Sequence, residues 1–480
     1  MKILLANSPW NKPGYYGVRA GSRWPHFEKS ESAYIPFPFF LAYAASLLEK
    51  NGFTVKLIDG IAEKLPMQEF YARLADWRPD YVVYEVSTPS IEHDLEVAQE
   101  TKKRLGGNIQ VIFCGAHHSM CDPGFLATQP SVDMVLQGEY EFILLEALQA
   151  IARGTVLDSV PGLIFRKSSG KIISTGRRPL EQDLNKFPWP ARHHLPMENY
   201  CDLPGGIPAP SLQIWASRGC PFHCIFCAWP QIMYGSSQYR VREPADVVDE
   251  MEWCVKQYGF KSVYFDDDTF NIGKPRMLKI CGEIAKRKLN IPWAIMARAD
   301  CMDREILTAM RDAGLVALKY GVESGNQEIL QDTGKELNLD KVRRTVEMTR
   351  ELGIRFHLTF TFGLPGETLS TIRRTTDLAM ELDPDSLQFS IVTPFPGSKY
   401  FTMLDEKGYV LSKKWDEYDG YNRAVIRTDH LSREDLERAL RNANRKWKRH
   451  CLYRMLKTDP VRTFAQVALH PAQSLRTYLK

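Results

Sequence analysis

Three cysteines crowd into one short run, GCPFHCIFC, which places Cys220, Cys224 and Cys227 within eight residues. Thiolates are soft ligands, so a knot of them calls for zinc or an iron-sulfur cluster. Structural zinc takes four ligands, usually as two C-x-x-C pairs. No second pair lies within that spacing, although His223 inside the loop offers a fourth ligand in principle. The interval C-x-x-x-C-x-x-C also suits a 4Fe-4S cluster with three irons tied to protein. Its fourth iron stays open to a ligand that carries an amine and a carboxylate.

The rest of the composition fits a metal reading. Ten cysteines in 480 residues fall well short of a disulfide scaffold. The other seven (Cys114, Cys121, Cys201, Cys254, Cys281, Cys301 and Cys451) are scattered without a repeating interval. A hydrophobic fraction of 44% with 25% charged residues describes an ordinary folded chain with room for about three domains. The longest strongly apolar stretch, residues 35–48, contains two prolines and is too short to cross a bilayer. The start MKILLANSPW lacks a cleavage pattern, so a cytoplasmic protein is expected. Charge is uneven: residues 436–480 hold eleven Lys or Arg against Glu437 and Asp459, a net +9 in a chain whose total is +4. The run RKWKRH (445–450) reads first as a solvated helix face, and contact with an anionic membrane surface is its functional alternative.

The elements that must position the cysteines alternate strand with helix. In residues 1–155 strands are expected at 2–7, 54–59, 81–87, 108–115 and 132–139, with helices at 39–51, 66–77, 91–105 and 140–153. That order predicts a doubly wound, Rossmann-like α/β domain whose ligand lies beyond the carboxyl ends of the strands. The residues found there are Trp10, Ser87 with Thr88, Gly115 with His117 and His118, and Gly138 with Glu139. Glycines at such ends let a bulky ligand approach the backbone, while tight turns account for each of them taken singly. Residues 156–210 read as a hairpin around Ser168-Ser169-Gly170 followed by a proline-rich linker. Residues 211–400 carry six further strand candidates separated by helices, which describes a partial (βα)6 barrel with its working residues at the strands' carboxyl ends. Residues 401–480 are expected to be a basic helical region.

GCPFHCIFC, with Phe226 immediately before the last cysteine, resembles the signature loop of the radical S-adenosylmethionine (SAM) superfamily. The Rossmann-like domain ahead of it, with GAHHS and QGEYE, is similar to the cobalamin-binding domain of the cobalamin (B12)-dependent subfamily, class B methyltransferase-like. The resemblance covers about residues 1–400 and implies three cofactors: a 4Fe-4S cluster on Cys220, Cys224 and Cys227, SAM, and cobalamin. It assigns SAM contacts to Phe226, to Arg298 after the third barrel strand, and to Glu323 and Ser324 in GVESG. It further assigns Gly363, Pro365 and Gly366 in GLPGE, and Thr393 and Phe395 in TPFPG. Each has a structural alternative, since Glu323 can cap a helix, GLPGE can be an ordinary turn and Arg298 can pair with Asp300. The chain departs from the family's D-x-H-x-x-G motif, carrying Asn7-Ser8-Pro9-Trp10 after its first strand, so no histidine ligand to cobalt is implied.

The implied chemistry is reductive cleavage of SAM to a 5′-deoxyadenosyl radical, followed by methyl transfer from methylcobalamin to an unactivated carbon. The substrate is unidentified: a peptide side chain, a lipid or isoprenoid, or a natural product. A flavodoxin or ferredoxin type reductant is implied, and nucleic acid is not expected. Within the same machinery the rival is a cyclase or ring-rearranging enzyme. Outside it, the rival is a non-enzymatic zinc-binding protein.

Overall fold

The computed structural model describes residues 1–10, 34–106, 108–419 and 422–459, together with the backbone of 15–16 and 27–28. The tail beyond residue 459, with part of the basic charge, lies outside the described residues.

The first sheet begins with β1 (Lys2–Asn7), a strand buried along nearly its whole length. It continues with β2 (Thr54–Asp59), β3 (Tyr81–Glu85), β4 (Gln110–Cys114) and β5 (Met134–Leu136), all parallel. Helices α1 (Phe39–Lys50), α2 (Met67–Trp77), α3 (Ile91–Leu105), the short α4 (Gly124–Thr128) and α5 (Glu141–Ala152) cross between them. Leu4 and Ala6 join one core cluster while Ile3 and Leu5 join another, so the strand is covered on both faces, as a parallel sheet requires. The hairpin is not part of a separate linker. Its strands β6 (Leu163–Arg166) and β7 (Ile172–Ser174) add antiparallel to β5, giving a seven-stranded order β2-β1-β3-β4-β5-β6-β7. The strand order reverses beside β1, and the crevice between the carboxyl ends of β1 and β3 is where such sheets bind ligands.

The second sheet is the expected partial barrel, six parallel strands in sequential order: β8 (Ser211–Ile214), β9 (Ser262–Phe265), β10 (Trp293–Ala297), β11 (Leu315–Glu323), β12 (Arg355–Phe362) and β13 (Ser386–Ile391). Its helices are α6 (Pro244–Tyr258), α7 (Lys274–Lys286), α8 (Arg304–Asp312), the short α9 (Gln327–Asp332), α10 (Leu339–Glu351) and α11 (Leu369–Leu382). The proline-rich strap runs beneath: Ile207 packs on Tyr264, Ala294 and Ala317 and fills the barrel's amino end. Chemistry is thereby confined to the carboxyl end.

The region after the barrel is less helical than expected. Between α12 (Lys399–Glu406) and α13 (Arg433–Thr458) the described chain is irregular apart from a turn at Trp415–Glu417 and an isolated bridge between Val410 and Ile426. The basic face of α13 is partly paired. Lys446 bonds Asp377, and His450 and Arg454 reach Asp383 at 2.7 and 2.9 Å. These pairs fasten the helix to α11 and the turn that follows it, and no described helix is long and apolar enough to cross a membrane.

Candidate functional site

The cysteine loop leaves β8 at the carboxyl end of the barrel. Gly219 starts it with φ +87°, and a Cβ there would meet the Gln238 carbonyl at 2.0 Å, so only glycine fits. Its N–H donates to Asp268 (2.9 Å), and the Cys220 thiol lies 3.4 Å from the Thr269 hydroxyl. Farther along, Ile225 N–H donates to the Thr333 carbonyl (2.9 Å) and Tyr400 N–H donates to the Ile225 carbonyl (3.1 Å). The Gln231 side-chain amide donates to the carbonyls of Cys224, Ile225 and Cys227 at 3.2, 3.0 and 2.7 Å. Lys399 N–H in turn donates to the Gln231 oxygen (2.7 Å), which ties the loop to the start of α12.

The thiols fit a large inorganic group. The one trio of His, Cys, Asp or Glu ligand atoms drawn within 4.8 Å of one another among the described residues lies elsewhere. The three sulfurs therefore do not make the compact set that a single zinc needs, with ligand atoms about 3.8 Å apart for Zn–S bonds of ~2.3 Å. They remain close enough to repel as thiolates: burial, then the charges of Cys224 and Cys220, push Cys227 up. Burial raises Cys224 as well, opposed by the cations Lys335 and Arg298. A metal cluster relieves that repulsion by taking the thiolates as ligands.

Around the loop, Arg298 lies over the Phe222 ring at 3.5 Å and is held by Asp300 through Nε (3.0 Å) and Nη2 (2.8 Å) and by the Lys335 carbonyl (2.9 Å). The pairing with Asp300 and the place beside the cysteines are both present. Glu323 does not cap the next helix, because Asn326 does so, accepting from Glu328 N–H at 2.9 Å. Instead a register shift between Gly321 and Glu323, with φ +70° at Glu323, brings its carboxylate to Lys335 (3.2 Å) and the Thr361 hydroxyl (2.9 Å). Burial opposes the Lys335 ammonium, but Glu323 and Cys224 outweigh it and hold its pKa above the ordinary value. Ser324 turns the other way. It is buried, with its hydroxyl 3.4 Å from that of Thr375 of α11.

GLPGE closes on itself after β12: Glu367 accepts from Gly363 N–H (2.6 Å) and Leu364 N–H (3.1 Å). Burial pushes that carboxyl up to about 8, so it is neutral at pH 7. The Tyr400 hydroxyl donates to the Gly363 carbonyl at 2.5 Å, while Pro365 and Gly366 form the tip of the turn. After β13, the Thr393 hydroxyl is buried without a hydrogen-bond partner and Phe395 packs on Tyr418. A Cβ on Gly397 would strike Met120 of the N-terminal domain at 2.3 Å.

The strand ends of the first sheet face the same junction, with several residues in roles other than those expected. At Gly115 a Cβ would meet the Val86 carbonyl (2.7 Å), and at Gly138 the Met233 carbonyl (2.9 Å). The close approach that demands glycine is thus made by protein. His118 is buried among Phe113, Phe125 and His117, both of its ring nitrogens without a hydrogen-bond partner. Glu139 is committed to Arg218 and Arg240, each at 2.7 Å, and Arg218 also holds Glu141 at 2.8 Å. These four buried side chains join the turn after β5 and the start of α5 to the paired segments at Arg218 and Arg240 that flank the cysteine loop. The Arg218 guanidinium also lies against the rings of Phe187 and Tyr43, at 4.3 and 4.7 Å.

What stays at the crevice between β1 and β3 is polar. Ser8 and Ser90 donate to Asp94, both at 2.6 Å, Ser87 and Ser90 share a bond of 2.9 Å, and His117 Nδ1 lies 3.2 Å from the Thr88 hydroxyl. Asn7, ending β1, has both amide atoms buried without a partner, as expected of a side chain that serves a group seated on the strand ends. Trp10 is half-buried just beyond, where Pro9 accepts from His93 (2.8 Å). Between the two sheets and beside the cysteine loop lies a narrow, partly open cleft walled by Phe37, Phe39, Phe40, Trp215, Trp229 and Tyr234, with Asp266 and Asp268 at its edge.

Gln231, Lys335, Asp268 and the Arg218–Arg240 pair escaped the sequence reading. The run Asp266-Asp267-Asp268-Thr269 carried a usable signal, since it ends a barrel strand. Lys335 and Gln231 carried none, being single polar residues in connecting segments.

Comparison with known proteins agrees with this geometry. Residues 216–379 match the radical SAM superfamily and residues 29–148 match the B12 binding domain. An uncharacterized methyltransferase of Pyrococcus horikoshii is 29% identical over 408 residues, covering 85% of this chain and 86% of that protein. The anaerobic magnesium-protoporphyrin IX monomethyl ester cyclase of Rubrivivax gelatinosus is 27% identical over 93% of this chain and 77% of its own length. Among solved structures, the radical SAM methyltransferase TsrM of Kitasatospora setae superposes with a TM-score of 0.67 at 22% identity, covering 85% of this chain and 76% of that one.

Proposed function

We propose that this chain, a radical SAM superfamily protein with an N-terminal B12-binding domain, is an enzyme that transfers a methyl group to an unactivated carbon of an organic substrate. One arrangement carries the reading. The cysteine loop and the B12-domain strand ends are locked face to face by Glu139, Arg218 and Arg240 beside a narrow aromatic cleft.

When bound, the cluster, SAM and cobalamin supply a carbon radical and a transferable methyl group. The chain's own residues do the rest. Cys220, Cys224 and Cys227 hold the cluster, and Arg298 and Lys335 offset thiolate charge beside Cys224. In the SAM site, Glu323 meets the cosubstrate's amine or ribose hydroxyls, Lys335 and Arg298 its carboxylate, and Phe226, Gly363, Pro365, Gly366, Thr393 and Phe395 line the remainder. Trp10, Ser87, Thr88 and His117 are the side chains left to border cobalamin. A flavodoxin or ferredoxin type protein is the electron donor.

The test is anaerobic incubation of the reconstituted protein with reductant, cobalamin, cell extract and SAM labelled in its methyl group. Label in a new carbon–methyl bond, accompanied by 5′-deoxyadenosine, is the expected result. The same labelled product from a Cys220→Ala, Cys224→Ala, Cys227→Ala variant overturns the proposal, and an unlabelled, newly cyclised product transfers it to the cyclase reading.

A further inference from the structure

Far from the cysteine loop, three donors meet on the outer side of α1. Glu49 stands in the last turn of that helix, and His193 and His194 stand in a turn of the strap, 144 and 145 residues away in sequence. Both imidazoles direct Nε2 at the same carboxylate oxygen, Glu49 Oε1, at 3.1 Å from His193 and 2.7 Å from His194. One ligand atom from each residue lies within 4.8 Å of the other two. The rings are 4.3 Å apart and tilted at 38°, so the two nitrogens converge instead of stacking in parallel.

The backbone beneath is fixed before any ion arrives. Ala191 N–H donates to the Ala42 carbonyl of α1 (2.9 Å), and His194 N–H donates back to Ala191 (3.3 Å). Arg192, between Ala191 and the histidines, is 2% exposed; it reaches through to the Gln213 carbonyl (2.9 Å) and Glu250 of α6 (3.0 Å). Adjacent residues therefore point in opposite directions by construction: Arg192 inward to the barrel, the imidazoles outward to Glu49. A carboxylate in the last turn also sits at the negative end of the helix dipole, where a cation is favoured.

We propose that Glu49, His193 and His194 bind one divalent transition-metal ion, zinc being the best match, that clasps the strap onto α1. Two imidazoles and a carboxylate form a common zinc ligand set with a fourth position left for water. Bonds of about 2.0–2.1 Å place tetrahedral ligands ~3.3 Å apart, so His193 and His194 need to open from Glu49 by only about 0.2 and 0.6 Å. The side chains are 60%, 19% and 30% exposed for His193, His194 and Glu49, which leaves an entry path. Magnesium and calcium prefer all-oxygen sites and are poor candidates. This inference does not rest on the proposed methyl transfer.

The test uses the full chain with its cluster reconstituted, so that the three cysteines are already occupied, and with any affinity tag removed. Calorimetric titration with Zn²⁺ is expected to show one tight equivalent, weakened at least tenfold in His194→Ala and in Glu49→Gln, and a thermal midpoint that zinc raises in the parent but not in the variants. Thermal melts without zinc establish that each variant is folded. The more exposed His193→Ala, if the others unfold, carries the same expectation. Absence of zinc binding by the parent, or equal binding by folded variants, overturns the proposal.

Discussion

The amide nitrogen of Gln231 lies 2.7 Å from the carbonyl oxygen of Cys227, four residues before it, and the same side chain reaches the carbonyls of Cys224 and Ile225. One residue thus fixes the path of the chain through two of the three thiols and the residue next to the first of them. Its own oxygen is anchored by Lys399 N–H, so the loop's shape depends on α12 as well as on β8.

Replacement of Gln231 by Leu leaves those carbonyls without their donor in a half-buried setting. A loss of about 2–3 kcal/mol in stability is expected from the broken bonds. Iron content after anaerobic reconstitution should fall below the parent value. Iron assay and urea unfolding together check this, and full iron occupancy in the variant contradicts it.

Gly219→Ala acts on the same loop from the other side. The new Cβ has no room against the Gln238 carbonyl and the φ is left-handed, so the chain must move where Cys220 begins. After anaerobic reconstitution the variant is expected to bind less iron than the parent, with the remainder of the protein still folded by circular dichroism.

The junction of the two domains rests on buried charge. Glu139→Ala strips Arg240 of its carboxylate partner and leaves Arg218 with Glu141 alone, both arginines being 3% exposed. Removal of one partner of such a group costs about 3–5 kcal/mol. Denaturant titration should show that loss, while Glu139→Gln, which keeps two acceptor lone pairs, should lose less.

Glu367 gives the pH dependence a sign. Its carboxyl is held up at about 8, against an ordinary 4.5, because burial disfavours the charged form. The folded state therefore keeps a proton that the unfolded state releases, and stability declines as pH rises from about 4.5 to 8. Glu367→Gln, neutral and still an acceptor for Gly363 and Leu364, should remove this component. Urea unfolding at pH 6 and 8.5 is expected to show a loss on the order of 2 kcal/mol or more in the parent and a smaller one in the variant.

Glu323→Gln keeps the size of the side chain and removes the charge facing Lys335. Under the proposed function it weakens SAM binding by about 10–100-fold, as expected for one charge-assisted bond of ~1.5–3 kcal/mol. Equilibrium binding of SAM to the reconstituted protein measures this directly.

Much of the fold was legible because local patterns suffice for it. β1 and β2 occupy the very residues 2–7 and 54–59 that short apolar runs bounded by turn residues indicate. The attachment of the hairpin to β5 was not legible, since pairing between edge strands leaves no mark on either sequence. At the site, the cysteine spacing announced its chemistry directly. Glu323 and Ser324 show the limit: alternation along β11 assigns their faces only until the shift at Gly321/Glu323 and a left-handed φ break the period of two. Glu139 was conspicuous for its polarity, but its partner Arg218 is 79 residues away, and nothing in either segment names the other.

The charged junction also decides how this protein can be dissected. A fragment ending at residue 155 would carry Glu139 and Glu141 without their guanidinium partners and would bare the edge of β5, which β6 normally covers. Unpaired strand edges recruit other chains. The N-terminal half is therefore no autonomous module to be excised and transplanted: its buried carboxylates and its strand edge are completed by later parts of the chain, and chimeras that exchange it must exchange the arginines too.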